Sequence, residues 1–199
     1  MSRIIAGSHG GRRLIMPSGD RTRPTTDRVR EALFSVIASW NGSAAAEPDR
    51  TLSGLAFCDL YAGSGAVGLE AASRGAGPVL LVESDRRTSL VTRANADELG
   101  LEVEVTVADV EKLLRQRSEQ AYDVIFADPP YEFASDRLDH QLGLLVLNGW
   151  LAAAGLVVIE RSRRSADLAW PPEFTEVWSR AYGETVLHLA SLDHERSAP

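Results

Sequence analysis

The chain has 199 residues, 44% of them hydrophobic and 25% charged, and a formal net charge of -7 at pH 7. This length fits one sizeable domain, with or without a small appendage, and is short for two full domains. No apolar run approaches the roughly 20 residues that cross a bilayer, and the N-terminus lacks the apolar segment of about 7 to 15 residues of a secretory signal, so we expect a soluble, cytoplasmic protein.

The charge is distributed unevenly along the chain. Residues 1–30 hold seven arginines and two aspartates, a local charge of +5, which leaves -12 for the remainder. The overall negative charge argues against a nucleic-acid partner, but the asymmetry is typical of a basic arm on an acidic body. On composition alone, a solvated terminus explains the asymmetry equally well.

The first elements predicted are a small β-hairpin and a helix. The segment RIIAGSHGGRRLIMP has two short apolar runs separated by Gly and Ser, which is typical of a hairpin. In RPTTDRVREALFSVIASW, Thr25 or Thr26 can cap a helix and Asp27 suits the positive end of its dipole. Residues 41–54 are rich in small and turn-forming residues and are predicted to be a linker. The apolar positions of the helix recur at helical spacing: Val29, Ala32, Leu33, Val36, Ile37 and Trp40.

From Leu55 onward, apolar runs alternate with helix-like segments, which predicts βαβ units and a mainly parallel sheet. The predicted strands are LAFCDL, PVLLVE, EVEVTV, YDVIFAD and GLVVIE, with helices at GLEAASRG and over about 86–99, 110–119 and 136–147. EVEVTV alternates and is therefore expected at an edge. Two further strands, about 174–181 and 184–191, are joined through YGE, and so short a connection requires an antiparallel pair.

Cysteine and histidine point to neither a disulfide nor a metal. The chain has a single cysteine, Cys58, and four histidines scattered without metal-ligand spacing. Because Cys58 lies in the apolar run LAFCDL, we expect a small buried core residue rather than a reactive thiol.

The segment DLYAGSGAVGLE, which follows the first predicted strand of the sheet, indicates a nucleotide site. Gly63, Gly65 and Gly68 form GxGxxG, and Glu83 ends the next strand 20 residues after Gly63. Glycines let the backbone approach a ligand, and an acid at the second strand end can accept hydrogen bonds from both hydroxyls of a ribose. This pattern alone fits NAD and S-adenosylmethionine alike.

Two later strand ends favour S-adenosylmethionine. Asp109 follows the third strand and can accept a hydrogen bond from an adenine amino group, and the fourth strand ends in Asp128, Pro129, Pro130 and Tyr131. Ligands of open α/β sheets lie over the carboxyl ends of the strands. We therefore expect Asp59 with the glycine loop, Glu83, Asp109 and Asp128 to lie at one rim.

These motifs resemble the class I S-adenosylmethionine-dependent methyltransferases, and DPPY resembles the signature of those that methylate exocyclic or amide nitrogens. Six segments in order, RIIAG...GRRL, RPTTDRVREALF, DLYAGSGAVGLEAASRGA, VESD, ADPPY and YGET, are similar to the bacterial RsmD family. That resemblance covers nearly the whole chain. It implies a Rossmann-like seven-stranded sheet, mainly parallel with a C-terminal antiparallel hairpin, and methylation of the N2 amino group of one guanine in 16S rRNA.

The resemblance also implies roles for individual residues. It places Ala62, Gly63 and Gly65 at the methionine end of the cofactor, Glu83 at the ribose and Asp109 at the adenine. Other residues implied at the cofactor are Thr25, Thr26, Asp59, Tyr61 and Asp128, and those implied at the target base are Asp128, Pro129, Pro130 and Tyr131. The arginines expected to hold RNA phosphates are Arg3, Arg12, Arg13, Arg21 and Arg23.

The implied organisation is a basic hairpin arm over 1–24, a methyltransferase domain over 25–192 and a disordered tail over 193–199. The expected partner is 16S rRNA, within a 30S assembly particle, for a monomeric protein without metal. Other readings stay open: another amino-group substrate such as DNA adenine or a protein glutamine, an NAD dehydrogenase, or a noncatalytic cofactor- or RNA-binding module. The last two leave DPPY unexplained.

Overall fold

The structure, a computed structural model, describes residues 2–17, 26–130 and 133–192. The chain divides into two units, residues 1–109 and 110–199. The first unit contains β1 (Ser2–Arg3), β2 (Arg13–Leu14), α1 (Asp27–Trp40), β3 (Phe57–Asp59), α2 (Ala66–Ser73), β4 (Val79–Glu83), α3 (Arg86–Leu99) and β5 (Glu104–Val107). The second contains α4 (Val110–Leu114), β6 (Tyr122–Ala127), α5 (Ser135–Leu147), β7 (Leu151–Ser162), β8 (Phe174–Tyr182) and β9 (Thr185–Leu192).

The predicted fold class is confirmed. Strands β3, β4 and β5 are parallel, as are β6 and β7, whereas β9 is antiparallel to both β7 and β8. The seven-stranded sheet has the order β5-β4-β3-β6-β7-β9-β8, and β1 and β2 form the predicted N-terminal hairpin. β5 lies at the edge, as its alternating sequence predicted, while β3 is buried throughout. None of the helices among the described residues is long and apolar enough to cross a membrane.

Helix α1 buries a different stripe from the predicted one. Val29, Leu33 and Ile37 are buried as expected, but Arg30 and Phe34 are also fully buried, and the stripe therefore turns toward them. Arg30 is drawn into the interior by carboxylates, since it lies near both Asp27 and Glu70. The helix begins after Thr26, whose hydroxyl oxygen accepts a hydrogen bond from the Val29 amide.

Helix α4 is shorter than the predicted segment 110–119. It ends at Leu114, whose carbonyl accepts a hydrogen bond from the Asn148 side chain at 2.7 Å. The Trp150 indole donates to the Gln116 carbonyl at 2.9 Å. These side chains satisfy carbonyls that a continuing helix would bind with its own amides, so the helix stops.

The predicted linker 41–54 is a series of turns bonded to its surroundings. The Ser43 amide donates to the Ala38 carbonyl of α1, and the Leu52 amide donates to the Arg74 carbonyl beyond α2. Leu52 is fully buried. This segment therefore contributes to the core of the first unit.

Candidate functional site

The glycine loop between β3 and α2 is fastened to the end of β4. The Ala62 amide donates to the Val82 carbonyl at 2.9 Å, and the Gly63 amide donates to Oε2 of Glu83 at 3.0 Å. The Gly65 amide closes a turn onto the Ala62 carbonyl at 2.7 Å. The structure thus brings the predicted loop and the predicted ribose-binding acid together.

Gly63 and Gly68 differ in the space that their surroundings leave for a side chain. A Cβ on Gly68 would lie 1.9 Å from Cδ2 of Leu81, so the absent side chain lets α2 pack directly on β4. At Gly63, where φ is +55°, no heavy atom among the described residues lies within 4 Å of the Cβ position. The backbone is therefore open to a ligand at Gly63 and closed by packing at Gly68.

Asp59 is a buried acid beneath the loop. Its Oδ2 accepts a hydrogen bond from the Gly68 amide at 3.2 Å, and its residue is 1% exposed. Burial raises the pKa of Asp59 to about 7, the backbone amides of Gly68 and Tyr61 oppose that shift, and the charge of Glu83 adds to it. Asp59 therefore titrates near neutral pH and holds the start of α2.

Glu83 and Asp109 lie at neighbouring strand ends. Register pairs Glu83 with Val107, and the Ala108 amide donates to the Glu83 carbonyl at 3.2 Å. The Glu83 carboxylate is half-buried and its Oε1 accepts from the Asp85 amide at 2.7 Å, while Asp109 is exposed. Both carboxyl groups are accessible at the same edge of the first unit.

The loop also rests on α3, through two residues that sequence reasoning missed. Thr92 Oγ1 donates to the Gly63 carbonyl at 2.6 Å, and Asn95 Nδ2 donates to the Ser64 carbonyl at 2.9 Å. Both side chains are buried. A signal was present: the buried face of α3 carries the polar residues Ser89, Thr92 and Asn95 at helical spacing, where a purely structural helix would present apolar ones.

In the second unit, the predicted catalytic corner follows β6. Asp128 is half-buried, Pro129 is buried and Pro130 is exposed, and Tyr131 lies outside the described residues. The Phe133 amide donates to the Pro130 carbonyl at 2.8 Å. The corner thus places two consecutive prolines, each with a fixed φ, one residue after a buried strand.

Two arginines of the second unit hold Phe133. Arg161 of β7, 8% exposed, donates from Nη2 to the Phe133 carbonyl at 3.1 Å. The Arg137 guanidinium lies over the Phe133 ring, 4.7 Å from its centroid, and donates to Glu111 Oε2 at 3.1 Å. Because Arg137 covers one face of the ring, Phe133 is anchored to α5 as well as to β7.

The N-terminal hairpin is bound to the first unit by a buried ionic cluster. The Glu70 carboxylate, on α2, accepts hydrogen bonds from the Ile5 and Ala6 amides at 2.7 and 3.0 Å and from Arg74 at 2.8 Å. Arg30 lies 3.8 Å from Glu70 and donates to Ser2 Oγ at 3.0 Å. Desolvation by burial lowers the pKa of Arg30, against the attraction of Glu70 and Asp27. The hairpin, α1 and α2 therefore meet at one carboxylate.

The predicted phosphate-binding arginines lie on this hairpin or outside the described residues. Arg3 pairs with Asp27 at 3.3 Å and Arg12 lies 3.9 Å from Glu98, both at the surface, and Arg13 is exposed. Exposed ion pairs of this kind contribute little to stability. Arg21 and Arg23 lie outside the described residues, as do Thr25, the boundary at 24 and 25 and the tail 193–199.

Comparison with known proteins identifies the family of this chain. Residues 2–191 match the family described as conserved hypothetical protein 95. The chain belongs to this family. The resemblance to RsmD proteins is confirmed, since the ribosomal RNA small subunit methyltransferase D of Escherichia coli is 36% identical over 159 residues, 79% of this chain and 73% of that protein.

Solved structures extend the agreement to three dimensions. The structure of yhhF from Escherichia coli has a TM-score of 0.81 and 32% identity, and the match covers 96% of this chain and 97% of that one. A Thermus thermophilus 16S rRNA methyltransferase solved with AdoMet and guanosine has a TM-score of 0.63 at 20% identity, covering 88% and 45%. The second similarity is one of fold alone.

For this member of the conserved hypothetical protein 95 family, the structure unites most of the cofactor residues expected from the sequence. In the first unit it brings together Asp59, Tyr61, Ala62, Gly63, Gly65, Glu83 and Asp109. Thr26 caps α1, as the sequence predicted for Thr25 or Thr26. The buried cluster of Arg30, Glu70 and Arg74 was not foreseen, because those residues bind one another only once the chain has folded.

Proposed function

We propose that this protein transfers a methyl group from S-adenosylmethionine to the exocyclic N2 amino group of a guanine in 16S rRNA. The observation that carries the proposal is the placement of Asp128, Pro129 and Pro130 directly after the buried strand β6, with Asp128 half-buried and Pro129 buried. Membership of the family and the ribosomal RNA methyltransferase from Escherichia coli, 36% identical, support an rRNA substrate. The N2 position rests on the resemblance of DPPY and the N-terminal motifs.

The residues of the first unit fit S-adenosylmethionine. The open backbone at Gly63 accepts a ligand at van der Waals distance, and Glu83 presents a half-buried carboxylate beside it for the two ribose hydroxyls. Asp109, exposed at the next strand end, can accept a hydrogen bond from the adenine amino group. When bound, the cofactor supplies an electrophilic methyl group on a sulfonium.

The acceptor groups of the corner would compensate for the poor nucleophilicity of the guanine amino group. The lone pair of a guanine amino nitrogen is delocalised into the ring. In the proposed mechanism, the Asp128 carboxylate and the Pro129 carbonyl accept the two amino hydrogens, which favours a tetrahedral nitrogen and directs its lone pair at the methyl group. The nitrogen would form its bond to the methyl carbon as the bond from that carbon to sulfur breaks, and the surplus proton would then leave through Asp128 to water.

Positioning and preorganised acceptors supply much of the rate acceleration in this mechanism. The prolines fix φ and carry no amide hydrogen that would compete for the acceptors. Tyr131 would offer a flat face to a base extruded from its stack.

RNA binding is proposed to involve the hairpin arginines, namely Arg3, Arg12 and Arg13 with Arg21 and Arg23. Docking of the hairpin on Glu70 gives Arg3, Arg12 and Arg13 a fixed base, unlike a free tail. A 30S assembly particle as substrate, a monomeric state and a cytoplasmic location remain predictions.

The decisive experiment compares 16S rRNA from cells with and without the gene. Nucleoside mass spectrometry should show one N2-methylguanosine missing in its absence and restored by the wild-type gene. Purified protein should methylate 16S rRNA, offered naked and as 30S particles, in a reaction dependent on S-adenosylmethionine. Unchanged N2-methylguanosine in the deletion strain would reject the proposal, and methylated DNA adenine or protein glutamine would redirect it.

A further inference from the structure

Asn95 of α3 joins the N-terminal hairpin segment to the glycine loop. Its Oδ1 accepts a hydrogen bond from the Ile15 amide at 2.8 Å, and its Nδ2 donates to the Ile15 carbonyl at 2.9 Å. The same Nδ2 donates to the Ser64 carbonyl, also at 2.9 Å. Ile15 thus receives from one side chain the pair of hydrogen bonds that a neighbouring strand would give it.

These partners fix the orientation of the Asn95 side-chain amide. One amide hydrogen requires an acceptor and two carbonyls require donors, so the oxygen of Asn95 faces Ile15 N and its nitrogen faces both carbonyls. The side chain is 2% exposed, and water cannot replace a lost partner cheaply. If either the hairpin segment or the glycine loop separates from Asn95, a buried polar group loses its hydrogen bond. Such a separation is therefore unfavourable.

Other contacts hold each segment separately. Thr92, one turn before Asn95, binds the Gly63 carbonyl at 2.6 Å and does so without the hairpin. Ser73 holds the far part of the hairpin, since its Oγ donates to the Ala6 carbonyl at 2.8 Å and accepts from the His9 amide at 3.0 Å. Asn95 alone of these three side chains bonds to both segments.

We propose that Asn95 is a positioning residue that couples the N-terminal segment 13–17 to the cofactor loop, so that cofactor binding and docking of this segment strengthen each other. The coupling rests on the proposed binding of S-adenosylmethionine at the glycine loop. The coupling is reciprocal by linkage. If bound cofactor favours docking of segment 13–17 by a given factor, docking of that segment raises the affinity for cofactor by the same factor. Since 13–17 leads directly into the arginine-containing residues 18–25, RNA held there would favour a cofactor-loaded enzyme.

The test measures cofactor affinity and segment docking in the same variants. Calorimetry gives the Kd for S-adenosylmethionine, and hydrogen exchange read by mass spectrometry gives the protection of residues 12–17 with and without cofactor. In the wild type, cofactor should slow exchange in this peptide. In Asn95→Ala, cofactor should bind about 5- to 10-fold more weakly and the slowing should disappear.

Two controls separate coupling from a local structural effect. Thr92→Val should weaken cofactor binding while cofactor still slows exchange of residues 12–17, because the bridge through Asn95 is intact. Ser73→Ala should speed exchange of residues 6–9 and leave the Kd unchanged. A pattern in which all three variants behave alike would contradict the coupling.

A backbone variant keeps the test valid if Asn95→Ala fails to fold. Ile15→Pro removes the amide hydrogen that Asn95 Oδ1 accepts and fixes φ at a position whose side chain is exposed, and Ile15→Ala retains that amide. Ile15→Pro should weaken cofactor binding about 5-fold and Ile15→Ala should not. Wild-type affinity in the proline variant would overturn the coupling alone, whereas no cofactor binding by the unaltered protein would overturn the proposed function with it.

Discussion

The glycine loop and the corner at residues 128–133 both follow strands of the sheet, yet they are held in different ways. The loop depends on side chains remote in sequence: Glu83 binds the Gly63 amide, and Thr92 and Asn95 bind the next two carbonyls. The corner depends more on its own covalent structure, since two prolines fix two φ angles, and Arg161 and Arg137 hold Phe133 beside them. A flexible glycine segment needs external supports, whereas a proline segment carries its rigidity within it.

This difference predicts where each region is vulnerable. The first unit should lose function through substitutions at buried supports far from the ligand. The corner should lose function chiefly through its reacting groups. Five variants, one of them with two substitutions, test and extend that contrast.

The largest effect on stability is expected at Glu70, the buried carboxylate of α2 that holds the hairpin. Glu70→Ala removes the partner of the buried guanidinium groups of Arg30 and Arg74 and the acceptor of the Ile5 and Ala6 amides. Breaking a buried ion pair costs about 3–5 kcal/mol because a buried charge is left uncompensated. Chemical denaturation monitored by circular dichroism measures the loss.

The matched control is Glu111→Ala, since Glu111 also bonds to two arginines, Arg115 and Arg137, but at the surface. Its free energy of unfolding should fall far less, because exposed ion pairs are screened by solvent. Equal losses in the two variants would remove the distinction between buried supports and surface charges.

At the corner, the largest loss should be catalytic. Asp128→Ala deletes a preorganised acceptor of the target amino group, and losses of such groups lower kcat about 10²- to 10³-fold. The Kd for S-adenosylmethionine should change little. Single-turnover methylation of 16S rRNA measures the rate, with Asp136→Ala, an exposed acid at the start of α5, as the control. Turnover near the wild-type rate in Asp128→Ala would remove Asp128 from the mechanism.

Asp59→Asn tests the acid beneath the loop through pH. Because the pKa of Asp59 is raised from 3.8 to about 7, the folded protein holds a proton that the unfolded chain has lost between these values. Rising pH therefore destabilises the wild type relative to the variant by about 1.4 kcal/mol per pH unit across that window. Above pH 7 the difference should level off. Unfolding free energies that stay parallel from pH 5 to 8 would show that burial does not shift this group.

Arg161→Ala tests a support of the corner that is remote in sequence. Loss of the hydrogen bond to the Phe133 carbonyl should loosen the turn and lower kcat about 10-fold, because small displacements of reacting groups are costly. Arg161→Lys should recover part of the rate, and cofactor affinity should stay constant in both. Arg163→Ala, an exposed neighbour on the same segment, should keep the wild-type rate. Identical kcat in the Arg161 and Arg163 alanine variants would mean that Arg161 does not support the corner.

The smallest effect concerns the hairpin. Replacing Arg12 and Arg13 by Gln should weaken RNA binding and reduce the slope of log K against log salt by up to about 1.4, for two contacts at about 0.7 each. Titrations at several salt concentrations measure it. The same exchange at Arg115 and Arg117 of the second unit is the control, and a slope unaffected by the hairpin pair would count against the arm.

Much of the fold could be predicted because its signals are local. Helix 86–99 was placed correctly since Asp85 caps its start, Gly100 ends it, and its buried positions recur at helical spacing. The supports of the glycine loop could not be placed in the same way. Asn95 meets residues 31 and 80 positions away, and such a contact exists only in the folded chain.

The candidate site shows the same division. GxGxxG with Glu83 predicted the loop and its acid, because strand, turn and helix follow one another directly in sequence. Arg161 escaped prediction since its partner is a backbone carbonyl, which leaves no trace in the sequence. The length of α4 was wrong for a related reason, because it is set by side chains from Asn148 and Trp150.

Cys58 gives the protein an internal reporter of its own opening. It is the sole cysteine, lies fully buried in β3, and burial together with the neighbouring Asp59 raises the pKa of its thiol. A thiol-reactive reagent should therefore leave the folded protein unlabelled and modify only molecules whose central strand has become exposed. The labelling rate would then read out the population of open molecules directly, without an engineered probe.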